Sequence, residues 1–200
     1  MPPGRRTFRR PLGERRYRKL FVIAVEGVKT EPQYFAIFND RQAVIRVHCL
    51  KGRNDSAPPQ VLKRMEGHLR QEELRSSDEA WLLVDKDQWT DEQLAALHTW
   101  AQGRDNYGLA LSNPKFEYWL LLHFEDGAAI TSSRDCTDRL KRHLPGYDKG
   151  IDARQITPAH VAEAIRRAKL RDTPPCVDWP KNTGSTVYRL VEAILGAQHE

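Results

Sequence analysis

Three acidic residues directly follow two apolar runs of the chain. Residues 20–25 lead into Glu26, and residues 81–84 lead into Asp85 and Asp87. Continuous apolar runs of this length are typical of strands buried on both faces, as in a parallel α/β sheet. The carboxyl ends of such strands form the edge at which α/β proteins bind ligands. Three carboxylates meeting there repel one another unless a hard cation such as Mg²⁺ neutralises them, so the pattern predicts a metal-assisted phosphoryl-transfer site.

The predicted catalytic residues are Glu26, Lys29, Asp85 and Asp87. Asp85 and Asp87 are two positions apart, so an extended chain points both carboxylates to the same side, where they can reach one cation. Glu26, at the end of a neighbouring strand, can complete the metal site or act as a general acid or base. Lys29 can balance the charge that develops on a phosphate.

Glu31 and Glu117 are candidates for a second metal ion, Mg²⁺ or Mn²⁺, which would clamp the attacking and leaving oxygens as in two-metal nucleases. We expect Glu117 in the first turn of a helix that begins at Pro114 and is capped by Ser112 or Asn113. A first-turn carboxylate also stabilises the helix dipole, so a structural role for Glu117 stays open. The sequence has no His or Cys cluster with zinc spacing, and no Ser or Tyr nucleophile is indicated, which favours hydrolysis by water.

Strand and helix patterns alternate along the rest of the core. Strands are expected at 20–25, 44–50, 80–84 and 107–111, with helices at 30–38, 58–76, 90–104 and 114–124. Thr30 is expected to cap the first of these helices. The order predicts an α/β fold with a doubly wound, mainly parallel four-stranded sheet and right-handed crossovers.

A helical extension is predicted to follow this core. Helices are expected at 134–144, 158–170 and 187–195, and the proline-rich segment 172–180 is expected to cross the surface without regular structure. The predicted organisation is therefore a basic arm over 1–19, an α/β core over 20–125 and a C-terminal helical extension over 126–200.

The positive charge of the chain is concentrated at its N-terminus. The net charge is +5, yet the first 20 residues hold eight basic residues against Glu14 alone, so the remainder is slightly acidic. Proline and glycine among the arginines predict a flexible arm that binds nucleic-acid phosphates without sequence choice. A solubilising or partner-docking tail is the alternative. The predicted nucleic-acid-binding residues are Arg5, Arg6, Arg9, Arg10, Arg15, Arg16, Arg18 and Lys19.

Length and composition limit the class of protein. Two hundred residues make one domain, or a domain with an added lobe. No stretch approaches the roughly 20 apolar residues of a membrane span, and no cleavable leader is expected. Cys49, Cys136 and Cys176 are scattered and odd in number. They predict a reduced, cytoplasmic environment.

Four segments resemble the RloB-like family, over residues 20–195. They are 25–35 (VEGVKTEPQYF), 84–87 (VDKD), 112–124 (SNPKFEYWLLLHF) and 186–191 (TVYRLV). That family is associated with bacterial restriction and abortive-infection loci, often beside an ATPase. Its core resembles the topoisomerase–primase (TOPRIM) fold, which carries a Glu after the first strand and Asp-x-Asp after the third. The resemblance therefore implies a Mg²⁺- or Mn²⁺-dependent nuclease acting on DNA or RNA, with Glu26, Asp85 and Asp87 at its metal site.

Two other function classes remain open. The chain can be a non-catalytic, nucleic-acid-binding or ATPase-partnered subunit of such a system, because a fold does not guarantee activity. It can also be a receiver-like signalling domain, in which an Asp at the third strand is phosphorylated beside Mg²⁺. A receiver usually has an acidic pair after its first strand, whereas Glu26 stands alone.

Overall fold

Five strands form one sheet in the computed structural model, which describes residues 18–39, 45–52, 58–86, 89–148 and 150–198. The strands are β1 (Lys19–Val25), β2 (Ile45–Leu50), β3 (Glu79–Asp85), β4 (Tyr107–Asn113) and β5 (Gly184–Ser185). Their order is β2-β1-β3-β4-β5, with the first four parallel and β5 antiparallel to β4. The predicted α/β class is confirmed. The predicted count of four strands is wrong, because a two-residue strand adds to the β4 edge.

Seven α-helices are present among the described residues. They are α1 (Thr30–Phe35), α2 (Pro58–Gln71), α3 (Asp91–Ala101), α4 (Phe116–Leu121), α5 (Ser133–His143), α6 (Pro158–Arg171) and α7 (Val187–Gln198), with 3-10 turns at Ala36–Phe38 and Ala153–Gln155. The helix predicted at 58–76 ends five residues beyond the observed C-terminus of α2 at Gln71. None of the helices in the described ranges has the length and apolarity that a membrane crossing demands.

Some helices begin at a residue whose side chain caps them, whereas others have no side-chain cap from the preceding residue. Thr90 caps α3 as a capping box with Gln93, and the predicted start of this helix is confirmed. The predicted cap at Thr30 is wrong, because Thr30 is already the first residue of α1 and Lys29 precedes it without a side-chain cap bond.

The predicted caps of α4 are also wrong. Ser112 and Asn113 are the last residues of β4, and Asn113 joins Pro114 through a cis peptide bond. The Ser112 hydroxyl is hydrogen-bonded to that of Ser185 at 2.9 Å, so it is occupied within the sheet. The helix begins only at Phe116, after extended backbone at residue 115.

Helices cover both faces of the sheet. On one face Phe21, Ile23 and Val25 pack against α1 and α4–α7; on the other, Val22 and Ala24 pack against α2 and α3. The chain passes from β1 outward to β2 and then back across β1 to β3. Crossovers of one hand therefore place α1 on the face opposite α2 and α3. This reversal creates a switch point between β1 and β3, where ligands bind in sheets of this kind.

An ion pair between the buried Asp172 and the part-buried Arg189 fastens the irregular segment 172–180 to α7. Asp172 accepts hydrogen bonds from the Cys176 amide (2.8 Å), the Tyr188 hydroxyl (2.8 Å) and the Arg189 guanidinium (2.8 Å). Burial alone would raise the pKa of Asp172, but these hydrogen bonds outweigh it and the pKa is lowered. The segment itself has no helix or strand, as predicted.

We expect Asp172→Asn to lower the free energy of unfolding by about 2–4 kcal/mol, because it leaves a part-buried arginine without its counter-charge. The lowered pKa of Asp172 adds a pH signature. Its stabilising contribution is present above about pH 4 and is lost as the pH falls further, so the variant loses less stability in acid than the wild type. Urea unfolding at several pH values measures both effects.

Glu192→Gln is the matched control. Glu192 forms an ion pair with Lys169 at 2.8 Å between α6 and α7, but both side chains are about half exposed. A pair of this kind contributes up to about 1 kcal/mol. Equal losses in the two variants would contradict the structural role given to Asp172.

Candidate functional site

An open cleft of about 190 Å³ lies at the carboxyl ends of β1 and β3. It is lined by Glu26, Gly27, Thr30, Glu31, Asp85, Phe116 and Glu117. Four of these seven residues are carboxylates, and none is basic. The fold thus brings four of the predicted metal ligands together from three separate parts of the sequence, at the switch point of the sheet.

Glu26 joins the ends of the two central strands. Its Oε1 accepts hydrogen bonds from the Asp85 amide (3.3 Å) and from the indole nitrogen of Trp89 (2.8 Å). Its own carbonyl lies so close to Gly52 that a Cβ there would stand 2.0 Å from the oxygen. A side chain at residue 52 would therefore displace the backbone of Glu26. Trp89 was not predicted as a site residue, because no local pattern connects it with a residue 63 positions earlier.

Asp85 holds the start of α4. Its Oδ1 accepts a hydrogen bond from the Phe116 amide at 2.8 Å. The acceptor for this helix end thus comes from a neighbouring strand, which explains why the local candidates do not cap it. A carboxylate offers about four lone-pair positions, so accepting a hydrogen bond does not prevent it from also acting as a metal ligand.

Glu31 is the most deeply buried carboxylate of the cleft, with 7% of its surface exposed. Its Oε1 accepts a hydrogen bond from the Gly27 amide at 2.9 Å. Burial raises the pKa of Glu31, backbone hydrogen bonds partly oppose this, and the charge of Glu117 raises the pKa further. A Cβ on Gly27 would stand 2.2 Å from Glu31 Oε2, so any larger residue at this position would displace the carboxylate.

Glu117 lies in the first turn of α4, as predicted, and is oriented by a buried tyrosine of the C-terminal extension. The Tyr147 hydroxyl donates to Glu117 Oε1 at 2.8 Å, and Lys115 Nζ lies 3.8 Å from the same oxygen. Burial and the charge of Glu117 both raise the pKa of Tyr147, so its hydroxyl stays protonated and can donate. Tyr147 and Lys115 were not predicted, since only the tertiary fold brings them to Glu117.

The remaining predicted site residues lie elsewhere. Lys29 is exposed and lines a cavity on the other side of α1. Lys19 is the first residue of β1, with its Nζ 2.6 Å from Glu79 Oε1, and Arg18 is exposed. The predictions for Asp87 and for Arg5, Arg6, Arg9, Arg10, Arg15 and Arg16 concern residues outside the described ranges.

The chemistry of the cleft suits a hard divalent cation. Its charged donors are all carboxylate oxygens, the ligand type that Mg²⁺ and Mn²⁺ prefer. Burial raises the pKa of Glu31, so the charged form of this carboxyl is disfavoured, and a bound cation would stabilise it. Within the described ranges, no three His, Cys, Asp or Glu side chains are grouped so that they could hold a metal ion as they stand.

Comparison with known proteins gives one match. The family described as RloB-like protein matches residues 21–194, which is most of the chain. The chain therefore belongs to the RloB-like family, and the resemblance noted in the sequence is confirmed. No curated protein and no solved structure matches it.

We expect Glu31→Gln to raise the melting temperature of the metal-free protein at pH 8. The raised pKa means that the folded state holds the Glu31 proton more tightly than the unfolded state, so the unfolding free energy of the wild type falls as the pH rises above about 4.3. The amide keeps an oxygen for the Gly27 hydrogen bond but carries no charge. Each kcal/mol relieved corresponds to about 2–4 °C.

Thermal melts at pH 4.5 and pH 8, with Glu73→Gln as the control, check this prediction. Glu73 is an exposed carboxylate outside the cleft, so its loss should change stability by less than about 0.5 kcal/mol at either pH. A gain for Glu31→Gln that is the same at both pH values, or a loss at pH 8, would contradict the proposed cost of the buried charge.

We also expect Gly27→Ala to be destabilising mainly through its contact with Glu31. The added methyl group would push the Glu31 carboxylate away from the Gly27 amide. In a Glu31→Ala background the same change should cost much less. A double-mutant cycle by urea unfolding should give a coupling of about 0.5–3 kcal/mol. Additive effects would show that the Gly27 methyl group clashes with something other than Glu31.

Proposed function

We propose that this RloB-like protein is a divalent-metal-dependent nuclease that hydrolyses phosphodiester bonds in DNA or RNA. The observation that carries the proposal is the cleft at the switch point, whose described lining contains Glu26, Glu31, Asp85 and Glu117 and no basic residue. The proposal includes a TOPRIM-like core. Glu26 directly after the first strand and Asp85 at the end of the third support it, and both line the cleft.

The central strands supply the proposed metal ligands. Glu26 and Asp85 would hold Mg²⁺ or Mn²⁺ together with Asp87, which stays a prediction from the sequence. Such an ion, when bound, polarises a phosphoryl oxygen and lowers the pKa of a bound water. Glu31 and Glu117, which line the same cleft, would serve a second ion.

Other residues keep these carboxylates in place. Trp89 and the Asp85 amide orient Glu26, and Tyr147 orients Glu117. These donors restrict the carboxylates before any substrate arrives, which is the preorganisation that phosphoryl transfer requires. Lys115, 3.8 Å from Glu117, places a positive charge beside the cleft, where a phosphate would need it.

The proposed setting is a bacterial anti-phage system, of the restriction or abortive-infection type, in the cytoplasm. Family membership supports this setting and the proposed ATPase partner. The three cysteines are free thiols, which fits a reducing compartment.

Incubation of the purified chain with labelled single-stranded DNA, duplex DNA and RNA tests the proposal. We expect cleavage with Mg²⁺ or Mn²⁺ and none with a chelator. Glu26→Gln and Asp85→Asn should each lower the rate at least ~100-fold, equivalent to about 2.7 kcal/mol of transition-state stabilisation. Both substitutions retain the oxygen that accepts the structural hydrogen bond, so the fold should survive.

Glu73→Gln serves again as the control, because it removes a carboxylate that does not line the cleft. Its cleavage rate should equal that of the wild type. Binding without cleavage of any probe, with either metal ion, would reject the nuclease and favour a non-catalytic nucleic-acid-binding subunit.

A further inference from the structure

Two open cavities, of about 620 and 540 Å³, flank the edge strand β2 and share His48, Cys49 and Lys51. Together we call them the β2 groove. Its lining contains no carboxylate among the described residues. The cationic side chains that line it are Lys29, Arg46, Lys51, Lys63 and Arg64. The charge of the groove is thus opposite to that of the cleft.

The β2 groove runs towards the acidic cleft. The parallel register places Arg46 beside Leu20 near the start of β1, and Leu50 beside Ala24 near its end. Beyond the strand, the Gly52 amide donates to the Gly27 carbonyl at 3.3 Å, directly at the cleft. From residue 46 to residue 50 the strand extends about 13 Å. Lys19, which follows the basic N-terminal segment in the sequence, pairs with Ile45 at the opposite end of the groove.

Only the first turn of α1 separates the two charged surfaces. Lys29 and Pro32 line the groove, whereas Thr30 and Glu31 line the cleft. The shape of the groove is fixed by Arg64, which donates to the Lys51 carbonyl (3.1 Å) and to the Val25 carbonyl (3.1 Å). A polyanion lying along the groove would therefore extend directly into the acidic cleft.

The lining favours contacts to phosphates over contacts to bases. Stacking platforms for single strands are built from exposed aromatic rings. The aromatic residues of the groove are His48 and Phe35, and Phe35 is fully buried. Burial and the neighbouring charges of His68 and Arg46 lower the pKa of His48, so its ring is mostly neutral at pH 7. The charged donors are lysine and arginine, which bind phosphates without reading sequence.

We propose that the β2 groove binds the phosphodiester backbone of a nucleic-acid strand and leads it to the acidic cleft. This inference rests on the proposed function and assigns the substrate path for it. Lys29, Arg46, Lys51 and Lys63 contact the backbone, over a length that matches about four nucleotides of a helical strand. Binding is independent of base sequence, and the strand reaches the cleft past Lys29.

Salt-dependent binding to mixed-sequence oligonucleotides tests the groove. The full-length Lys51→Gln/Lys63→Gln variant is compared with the wild type in chelator, so that no cleavage occurs. Loss of two contacts should reduce the log–log salt slope for single-stranded DNA by about 1.4, because each contact contributes about 0.7. At 0.1 M salt this corresponds to roughly 25-fold weaker binding.

Lys141→Gln/Arg142→Gln is the matched control. It removes the same charge from the exposed end of α5, and neither residue lines the groove. Its slope should equal that of the wild type. Equal slopes in both variants, or no binding by the wild type, would overturn the proposal and leave an acidic protein surface as the better occupant. Single-stranded DNA, single-stranded RNA and duplex arms show which backbone the groove accepts.

Lysine acetylation with mass spectrometry gives a measurement that needs no variant. Bound oligonucleotide should protect Lys51 and Lys63 and leave Lys141 reactive; uniform reactivity would overturn the proposal.

The two proposals can fail separately. Groove-dependent binding without cleavage under any metal retains the β2 groove and rejects the nuclease. Cleavage by a wild type whose binding ignores the groove charges retains the nuclease and rejects the groove.

Discussion

The hydrogen bond from the Asp85 amide to the Glu26 carboxylate joins the ends of the two central strands. It places two acidic side chains side by side at the point where the strand order reverses. The indole of Trp89 donates to the same oxygen of Glu26, and the carboxylate of Asp85 in turn receives the first amide of α4. The position of Glu117 depends on that helix start. Glu26, Asp85 and Glu117 are therefore parts of one connected network, and the charge of Glu31 acts on Glu117 beside it.

Buried hydrophobic runs made most of the fold predictable. Four strands and the helices lie close to their predicted positions, because period and capping are local properties. The two-residue β5 is too short for any pattern, and the start of α4 depends on Asp85, 31 residues earlier. Glu26 and Asp85 were predictable because they end apolar strands. Trp89 and Tyr147 were not, because their partners are distant in sequence.

The first turn of α1 separates two surfaces of opposite charge, the basic β2 groove and the acidic cleft. Carboxylates alone would repel a phosphodiester, and cations alone would bind it without chemistry. Under the proposed function, a divalent cation in the cleft would offset part of this negative charge and would attract the phosphates of a backbone that leaves the β2 groove. When no cation is present, burial and the charge of Glu117 disfavour the charged form of Glu31 and raise its pKa. We infer that metal binding and substrate binding support each other.

The position of a bound Mn²⁺ ion in crystals of the protein tests the central claim most directly. Anomalous scattering identifies the ion without reference to activity. The account predicts a peak in the cleft, at about 2–2.6 Å from carboxylate oxygens of Glu26 and Asp85. Ordered Mn²⁺ at other sites only, with the cleft empty at saturating concentration, would contradict it.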